Sequence, residues 1–175
     1  NPNKAVRAFT KPFHEASIQT HMLDRGLNGL RMYPVPADVR RLMYKVKHAQ
    51  GVDITRIFCG LNKVKNIIPS IHYALEAGMI PQATLCITFS PVHTVEYYTA
   101  IAERLIEAGA PEICLKDMAG VGRPEMLGRL TKAIKERHPE IIIQYHGHSG
   151  PGLSMASILE VCENGADIID VAMEP

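Results

Sequence analysis

The feature that most constrains the fold is an unbroken alternation of short apolar segments with helical segments from residue 36 onward. Strand candidates begin about 25 to 30 residues apart, and each gap contains apolar residues at helical spacing. Strands that are apolar along their whole length are typical of a parallel sheet covered by helices. The alternation therefore predicts an α/β protein built from βαβ units.

The pattern predicts six strands, whereas residues 1–16 are ambiguous. The strands are SIQTHML, VDITRIFCG, ATLCITFS, EICLKD, IIIQYH and DIIDVAM. Between them, VKNIIPSIHYALEAG is predicted to be helical, with a kink or restart at Pro69. Other helical segments place Val39, Leu42, Met43 and Val46 on one side, and Met155 and Leu159 are predicted to lie in the core.

Both a doubly wound sheet and a (β/α)8 barrel fit this alternation. Regular spacing favours the barrel, and no Gly-x-Gly-x-x-Gly turn indicates a dinucleotide fold. Six strands do not close a barrel of eight, so we expect an open barrel or part of a longer one. Such a piece, expressed alone, is expected to be insoluble or molten, because open edges and an open core destabilise an isolated domain.

Composition limits the function classes. A net charge of +1, with no long run of Lys and Arg among the 175 residues, argues against a nucleic-acid-binding surface. The four cysteines lack metal-type spacing and are expected to be reduced. We find no signal peptide and no apolar run near the roughly 18 residues of a membrane span, so a cytoplasmic location is expected.

Polar residues gather where the predicted strands end, which is where α/β enzymes place their chemistry. They are Arg25, Arg56, Thr88, Ser90, Lys116, Asp117, His146 and His148.

His146 and His148 stand at i and i+2, so in an extended segment they share one face with Gln144, while Ile143 and Tyr145 point towards the helices. Two imidazoles on one face can occupy two positions around a metal. The alternative is a hydrogen-bonded pair at a strand end.

Lys116 ends the preceding strand, on the same face as Cys114. A neutral amine there could act as a base, form a Schiff base, or add carbon dioxide to become a metal-binding carbamate, whereas the alternative is an ion pair with Asp117. Arg25 and Arg56 suit the bidentate binding of a substrate carboxylate, with structural salt bridges as the alternative.

Five motifs, in this order and spacing, resemble those of the biotin-dependent carboxyltransferases, over about residues 18–173: MLDRGLNG, TRIFCGLN, TLCITFSPVHT, CLKDMAG and YHGHSG. The resemblance implies a (β/α)8 TIM barrel of which this chain holds about strands 3 to 8. Residues 1–175 are then a partial carboxyltransferase domain, and the first two strands and the C-terminal remainder are expected to be absent.

The resemblance also implies a site and its chemistry. A divalent metal (Zn, Mn or Co) would be bound by His146, His148 and a carbamylated Lys116, together with an aspartate of the missing first strand. Arg25, Arg56 and Thr88 would bind substrate, and Lys116 and Arg56 would be catalytic. The implied reaction moves a carboxyl group between carboxybiotin and a 2-oxo acid, pyruvate or oxaloacetate, through a metal-stabilised enolate.

The partners that the resemblance implies are a biotin carboxyl carrier domain, biotin carboxylase or decarboxylase subunits, and further copies of the chain in a homo-oligomer. The sequence departs from the usual family pattern at Arg31-Met32, Cys59, Lys63 and in HGHSGPG. Two alternatives stay open: a metal-dependent barrel of the isopropylmalate synthase or hydroxymethylglutaryl-CoA lyase type, and a non-catalytic piece of a larger biotin enzyme assembly. Lys116 and Ser149-Gly150 argue against the first.

Overall fold

In the computed structural model, which describes residues 1–172, six strands form one sheet. The strands lie side by side in chain order, and every neighbouring pair is parallel. This arrangement is a partial TIM barrel, which confirms the predicted fold class. The strands are β1 (His21–Asp24), β2 (Ile54–Ile57), β3 (Ile80–Cys86), β4 (Glu112–Asp117), β5 (Ile142–Gly147) and β6 (Ile168–Ile169).

A helix crosses between each pair of consecutive strands, and one further helix precedes β1 in the segment that the sequence left ambiguous. The helices are α1 (Pro2–Glu15), α2 (Ala37–Ala49), α3 (Val64–Glu76), α4 (Val95–Glu107), α5 (Pro124–Arg137) and α6 (Ser154–Glu163). Within the described residues, no helix combines the length and apolar character needed to cross a membrane. Met173, at the end of the last predicted strand, lies outside the described residues.

The main core lies between the sheet and the helices. Ile113 and Leu115 of β4, and Ile143 and Tyr145 of β5, point to this layer and are almost fully buried. They pack with buried residues of the helices, among them Leu130 of α5. Because strand side chains alternate between faces, the residues between them in sequence point to the opposite, inner face of the partial barrel. The polar residues of the sheet are concentrated on that inner face.

Three local expectations about helices need correction. Pro69 lies inside α3, so the helix does not restart there, and the alternative of a kink stays a prediction. Met155 and Leu159 of α6 are 68% and 59% exposed, because α6 buries Ser157 and Val161. The predicted apolar side of α2 is also largely exposed, with Arg40 and Tyr44 buried in its place.

Candidate active site

Strand register brings the polar inner-face residues together. Arg56 pairs with Gln82 across β2 and β3. Nearer the carboxyl ends, Lys116 of β4 pairs with His146 of β5. Residues paired across parallel strands project to the same face of the sheet. The side chains of these distant sequence positions are therefore placed at one end of the partial barrel.

The two histidines contact each other directly. His146 Nε2 lies 3.0 Å from His148 Nε2, and His146 Nδ1 lies 2.6 Å from a carboxylate oxygen of Asp170. The backbone N–H of His148 donates to the carbonyl oxygen of Asp117 at 3.0 Å, which ties the histidine loop to the end of β4. A carboxylate on one ring nitrogen orients the imidazole and increases the basicity of the other nitrogen. This is the usual second-sphere arrangement of a metal-binding histidine.

Asp170 is the residue of this cluster that the sequence reasoning missed. It follows β6 directly and accepts two hydrogen bonds from Arg56, from Nη1 at 2.6 Å and from Nη2 at 3.2 Å. Burial acts to raise the pKa of Asp170, but the hydrogen bonds from His146 and Arg56 outweigh it and hold the pKa well below its usual range. The rule that selected Lys116 and His146, a polar residue where an apolar strand ends, selects Asp170 only once the structure shows that β6 ends at Ile169.

Arg56 is held on both sides of its guanidinium group. Its Nε donates to Gln82 Oε1 at 2.5 Å, while its two terminal nitrogens bind Asp170. The side chain is only 7% exposed, and Nη1 also lies 3.5 Å from His146 Nδ1. The salt bridge that the sequence left open as an alternative for Arg56 is therefore present. The guanidinium group nevertheless lines a pocket.

Lys116 is buried at the mouth of the partial barrel, 4% exposed, with Nζ 4.4 Å from the centre of the Phe58 ring. Burial, the largest influence, lowers the pKa of its amine. Asp117 forms no ion pair with it, because that carboxylate points to the helix layer and accepts the backbone N–H groups of Val121 and Gly122. The structure thus contradicts the ion-pair interpretation of Lys116.

A pocket of about 280 Å³ opens beside these residues. Its lining combines the apolar side chains Met22 and Leu23 with Arg56, Lys116, His146 and His21. Burial, together with the positive charge of Arg56, lowers the pKa of His21 to about 4, so this imidazole is neutral near pH 7. An adjoining cavity of about 820 Å³ is lined by His148 and Asp170 among others. The lining therefore places the guanidinium group of Arg56 beside the neutral imidazole of His21 and the buried amine of Lys116.

Two predicted substrate-binding residues lie outside this pocket. Arg25 is exposed, with Nη1 2.8 Å from the sulfur of Met32. Thr88 is also exposed, and its backbone N–H donates to the hydroxyl of Tyr98 at 2.8 Å. Neither lines the pocket that contains Arg56 and Lys116. Their roles stay predictions.

The donor set partly fits a metal. Over residues 1–172, no group of three or more His, Cys, Asp and Glu side chains is placed to hold a metal ion. His146 and His148 nevertheless present adjacent ring nitrogens. The ring of His146 is fixed by its hydrogen bond with Asp170, and Lys116 lies at the same end of the partial barrel. Two neutral imidazoles and one anionic oxygen on Lys116 would suit a borderline divalent cation.

The family model described as HMGL-like matches residues 61–174, about two thirds of the sequence. The chain belongs to the HMGL-like family.

Similar curated proteins place this HMGL-like chain beside carboxyltransferases. It is 37% identical to a pyruvate carboxylase subunit of Methanocaldococcus jannaschii over 100% of its own length and 30% of that protein. It is 33% identical to the methylmalonyl-CoA carboxyltransferase 5S subunit of Propionibacterium freudenreichii, over 99% of this chain and 34% of that protein. The chain therefore spans about a third of the length of these two curated relatives.

Solved structures give the same result. The carboxyl transferase domain of Rhizobium etli pyruvate carboxylase, determined with pyruvate, superimposes with a TM-score of 0.92 and 30% sequence identity. The match covers 99% of this chain and 30% of that one. The resemblance to biotin-dependent carboxyltransferases that the motifs indicate is confirmed.

Proposed function

We propose that this HMGL-like chain is the central part of a biotin-dependent carboxyltransferase domain, containing strands 3 to 8 of the barrel. The reaction is carboxyl transfer between carboxybiotin and a 2-oxo acid, with pyruvate and oxaloacetate as the pair. The observation that carries the proposal is the convergence of Lys116 and His146 on one pocket, with His148 and Asp170 in contact with the two ring nitrogens of His146. The names of the similar proteins support the same chemistry.

His146, His148 and a carbamylated Lys116 would hold the divalent metal, Zn, Mn or Co. When bound, the metal would supply Lewis-acid polarisation of the substrate ketone. Lys116 suits carbamylation because burial favours its neutral amine, whose lone pair can bond to carbon dioxide with release of a proton. Asp170 holds Nδ1 of His146, so the metal would bind Nε2, the nitrogen that contacts His148 Nε2 in this structure.

Substrate binding falls first to Arg56. A guanidinium group has five N–H donors, and the bonds to Gln82 and Asp170 occupy only part of that capacity. The remaining N–H groups can hold the carboxylate of a 2-oxo acid in the pocket. Arg25 and Thr88 are proposed to add contacts at the strand ends, as the resemblance implies.

Apolar side chains flank the reacting groups. Met22 and Leu23 line the pocket, and the Phe58 ring covers Lys116. The biotin carrier would supply carbon dioxide there and would take up the proton that leaves the substrate methyl group. The resulting carbon nucleophile then bonds to carbon dioxide, and fixed orientation of the two reactants lowers the barrier.

The proposed partners are the biotin carboxyl carrier domain that delivers carboxybiotin, and biotin carboxylase or decarboxylase subunits. A homo-oligomer is proposed as well.

The first test is biotin-dependent decarboxylation of oxaloacetate by the full-length protein, followed as pyruvate formation. We expect Lys116→Ala and His146→Ala to lower the rate by about 100-fold or more, as loss of a metal-assisted step does. Lys65→Ala and His72→Ala, which change exposed residues of α3, serve as matched controls and should keep the wild-type rate. A wild type without activity, or site variants as active as the controls, would refute the proposal.

The HMGL-like family match also favours a second candidate, a metal-dependent lyase or synthase of the hydroxymethylglutaryl-CoA lyase or isopropylmalate synthase type. Such an enzyme cleaves or forms its carbon–carbon bond without biotin. Turnover of an acyl-CoA substrate that does not depend on biotin would therefore favour this second candidate. A folded protein inactive in both assays would favour a non-catalytic role within a biotin enzyme assembly.

A further inference from the structure

Beneath the candidate site, four side chains form a closed ring of hydrogen bonds, which we call the inner ring: Arg56, Gln82, Gln144 and Asp170. Arg56 Nε donates to Gln82 Oε1 at 2.5 Å, and Gln82 Nε2 donates to Gln144 Oε1 at 2.6 Å. Gln144 Nε2 donates to Asp170, which closes the ring by accepting the terminal nitrogens of Arg56. The ring spans β2, β3, β5 and the end of β6.

The donors and acceptors of the inner ring match in only one direction. Gln82 must present its oxygen to Arg56, because a guanidinium group has no acceptor. Its NH2 group then faces two acceptors, Gln144 Oε1 and, at 2.8 Å, a carboxylate oxygen of Glu112. Gln144 in turn presents its NH2 to Asp170, which accepts only. A flip of either amide would place two donors or two acceptors against each other.

Gln82 has no access to the pocket itself. It is 0% exposed, and it is absent from the residues that line the pocket beside Arg56. Gln82 instead contacts Arg56, which lines that pocket. It also contacts Gln144, which donates to the Asp170 carboxylate that orients His146. Any effect of Gln82 on a reaction must therefore pass through Arg56 and Asp170.

We propose that Gln82 is a positioning residue that fixes the guanidinium group of Arg56 towards the pocket and, through Gln144, the carboxylate of Asp170. This role rests on the proposed function for its kinetic consequence, because Arg56 is the proposed carboxylate-binding group. The positioning of the Arg56 guanidinium group by Gln82 does not depend on the proposed function. A buried hydrogen bond to a charged group restricts side-chain orientation strongly, since leaving either partner unpaired in the interior is costly.

The test compares Gln82→Met, which has similar length but offers Arg56 only a weakly accepting sulfur, with Thr84→Val. Thr84 is the control because it lies two residues along β3 on the same inner face, and its buried hydroxyl has no hydrogen-bond partner among the described residues. The first readout is the rate at which phenylglyoxal modifies each arginine of the full-length protein, by peptide mass spectrometry. Arg25, exposed, and Arg40, buried, are internal references.

We expect Gln82→Met to accelerate modification of Arg56 by about tenfold or more, the effect of one lost bond to a charged group. The rates at Arg25 and Arg40 should not change, and Thr84→Val should match the wild type. Arg56 reacting as slowly as in the wild type would overturn the proposal. Equal acceleration at Arg40 would also overturn the proposal, because it would mean that the substitution loosens the fold as a whole and not the Arg56 side chain in particular.

The second readout is the steady-state kinetics of oxaloacetate decarboxylation. Loss of positioning should raise the KM for oxaloacetate by about tenfold. A merely structural role would lower the active fraction, and thus the apparent kcat, at an unchanged KM. A wild type with no activity would refute the proposed function, while the modification rate of Arg56 would still decide the role of Gln82.

A second set of variants covers the case in which Gln82→Met does not fold. Gln82→Glu keeps an acceptor for Arg56 but sets a second carboxylate against Glu112. We expect Gln82→Glu to impair both readouts, and Gln82→Glu combined with Glu112→Gln to recover much of the loss by restoring the donor between positions 82 and 112. A double variant no better than Gln82→Glu would count against the proposal.

Discussion

At the scale of single residues, Asp170 is the side chain on which the candidate site depends most. It binds His146 and Arg56 together and so links the histidine pair to the pocket. Sequence reasoning reached His146, His148, Lys116 and Arg56 because they end apolar strands. It missed Asp170 because nothing local showed that β6 would end at Ile169, so the aspartate was read as part of a longer strand.

Replacing Asp170 with Asn should therefore weaken metal binding. The amide removes the negative charge that raises the basicity of His146, and loss of such a second-sphere carboxylate typically costs about 10- to 100-fold in metal affinity or activity. Metal affinity measured by competition with a chelator checks this. Asp38→Asn, on the exposed first turn of α2, is the control. Equal affinity in wild type and Asp170→Asn would contradict the assignment.

Asp24 provides a separate prediction, on stability. It is fully buried, accepts hydrogen bonds from Thr55 at 2.6 Å and Tyr44 at 3.1 Å, and burial raises its pKa from 3.8 to about 6. A raised pKa means that the folded state binds the proton more tightly than the unfolded state. Its contribution to stability is fully present below pH 3.8 and is lost as the pH rises through about 6.

The free energy of unfolding of the full-length protein and of its Asp24→Asn variant should accordingly diverge with pH. Relative to the variant, the wild type should lose up to about 3 kcal/mol between pH 4 and pH 7, since one pKa unit corresponds to about 1.4 kcal/mol. Denaturant unfolding at both pH values measures the difference. A difference that does not change with pH would mean that Asp24 titrates normally.

At the scale of elements, the sequence predicted which segments are strands and helices better than it predicted which helix faces are buried. Apolar spacing identifies a helix, but the covered side depends on neighbouring elements. In α2 the buried side is polar, because Tyr44 donates to Asp24 and Arg40 donates to the carbonyl of Val35 at 3.2 Å. No apolar periodicity could signal those long-range hydrogen bonds.

Two leucines on adjacent helices test the observed faces with the same substitution. Leu130 of α5 is 0% exposed, whereas Leu159 of α6 is 59% exposed. Leu130→Ala should lower the free energy of unfolding by about 2–5 kcal/mol through lost burial and a cavity. Leu159→Ala should change it by less than about 0.5 kcal/mol. Denaturant titration of both variants measures these changes. Equal losses in the free energy of unfolding would contradict the observed packing of α6.

At the scale of the whole molecule, the alternating pattern was enough to predict a parallel sheet of βαβ units, which have few ways to assemble, and the resemblance to the carboxyltransferases implied the partial TIM barrel. The pattern could not reveal the inner ring. Gln82 and Gln144 are polar residues within strands, and only the sheet register shows that they meet Arg56 and Asp170. The site is a property of the assembled sheet, since its members come from β2, β4, β5 and β6.

The central claim is that His146, His148 and Lys116 form a metal site in this assembled barrel. The most direct test is the metal content and native mass of the full-length protein, purified without chelator, for the wild type, Lys116→Ala and His146→Ala. The account predicts one Zn, Mn or Co per chain and a mass increment of one carbon dioxide on Lys116, with the metal lost from both variants. A folded wild type that binds no metal would contradict it.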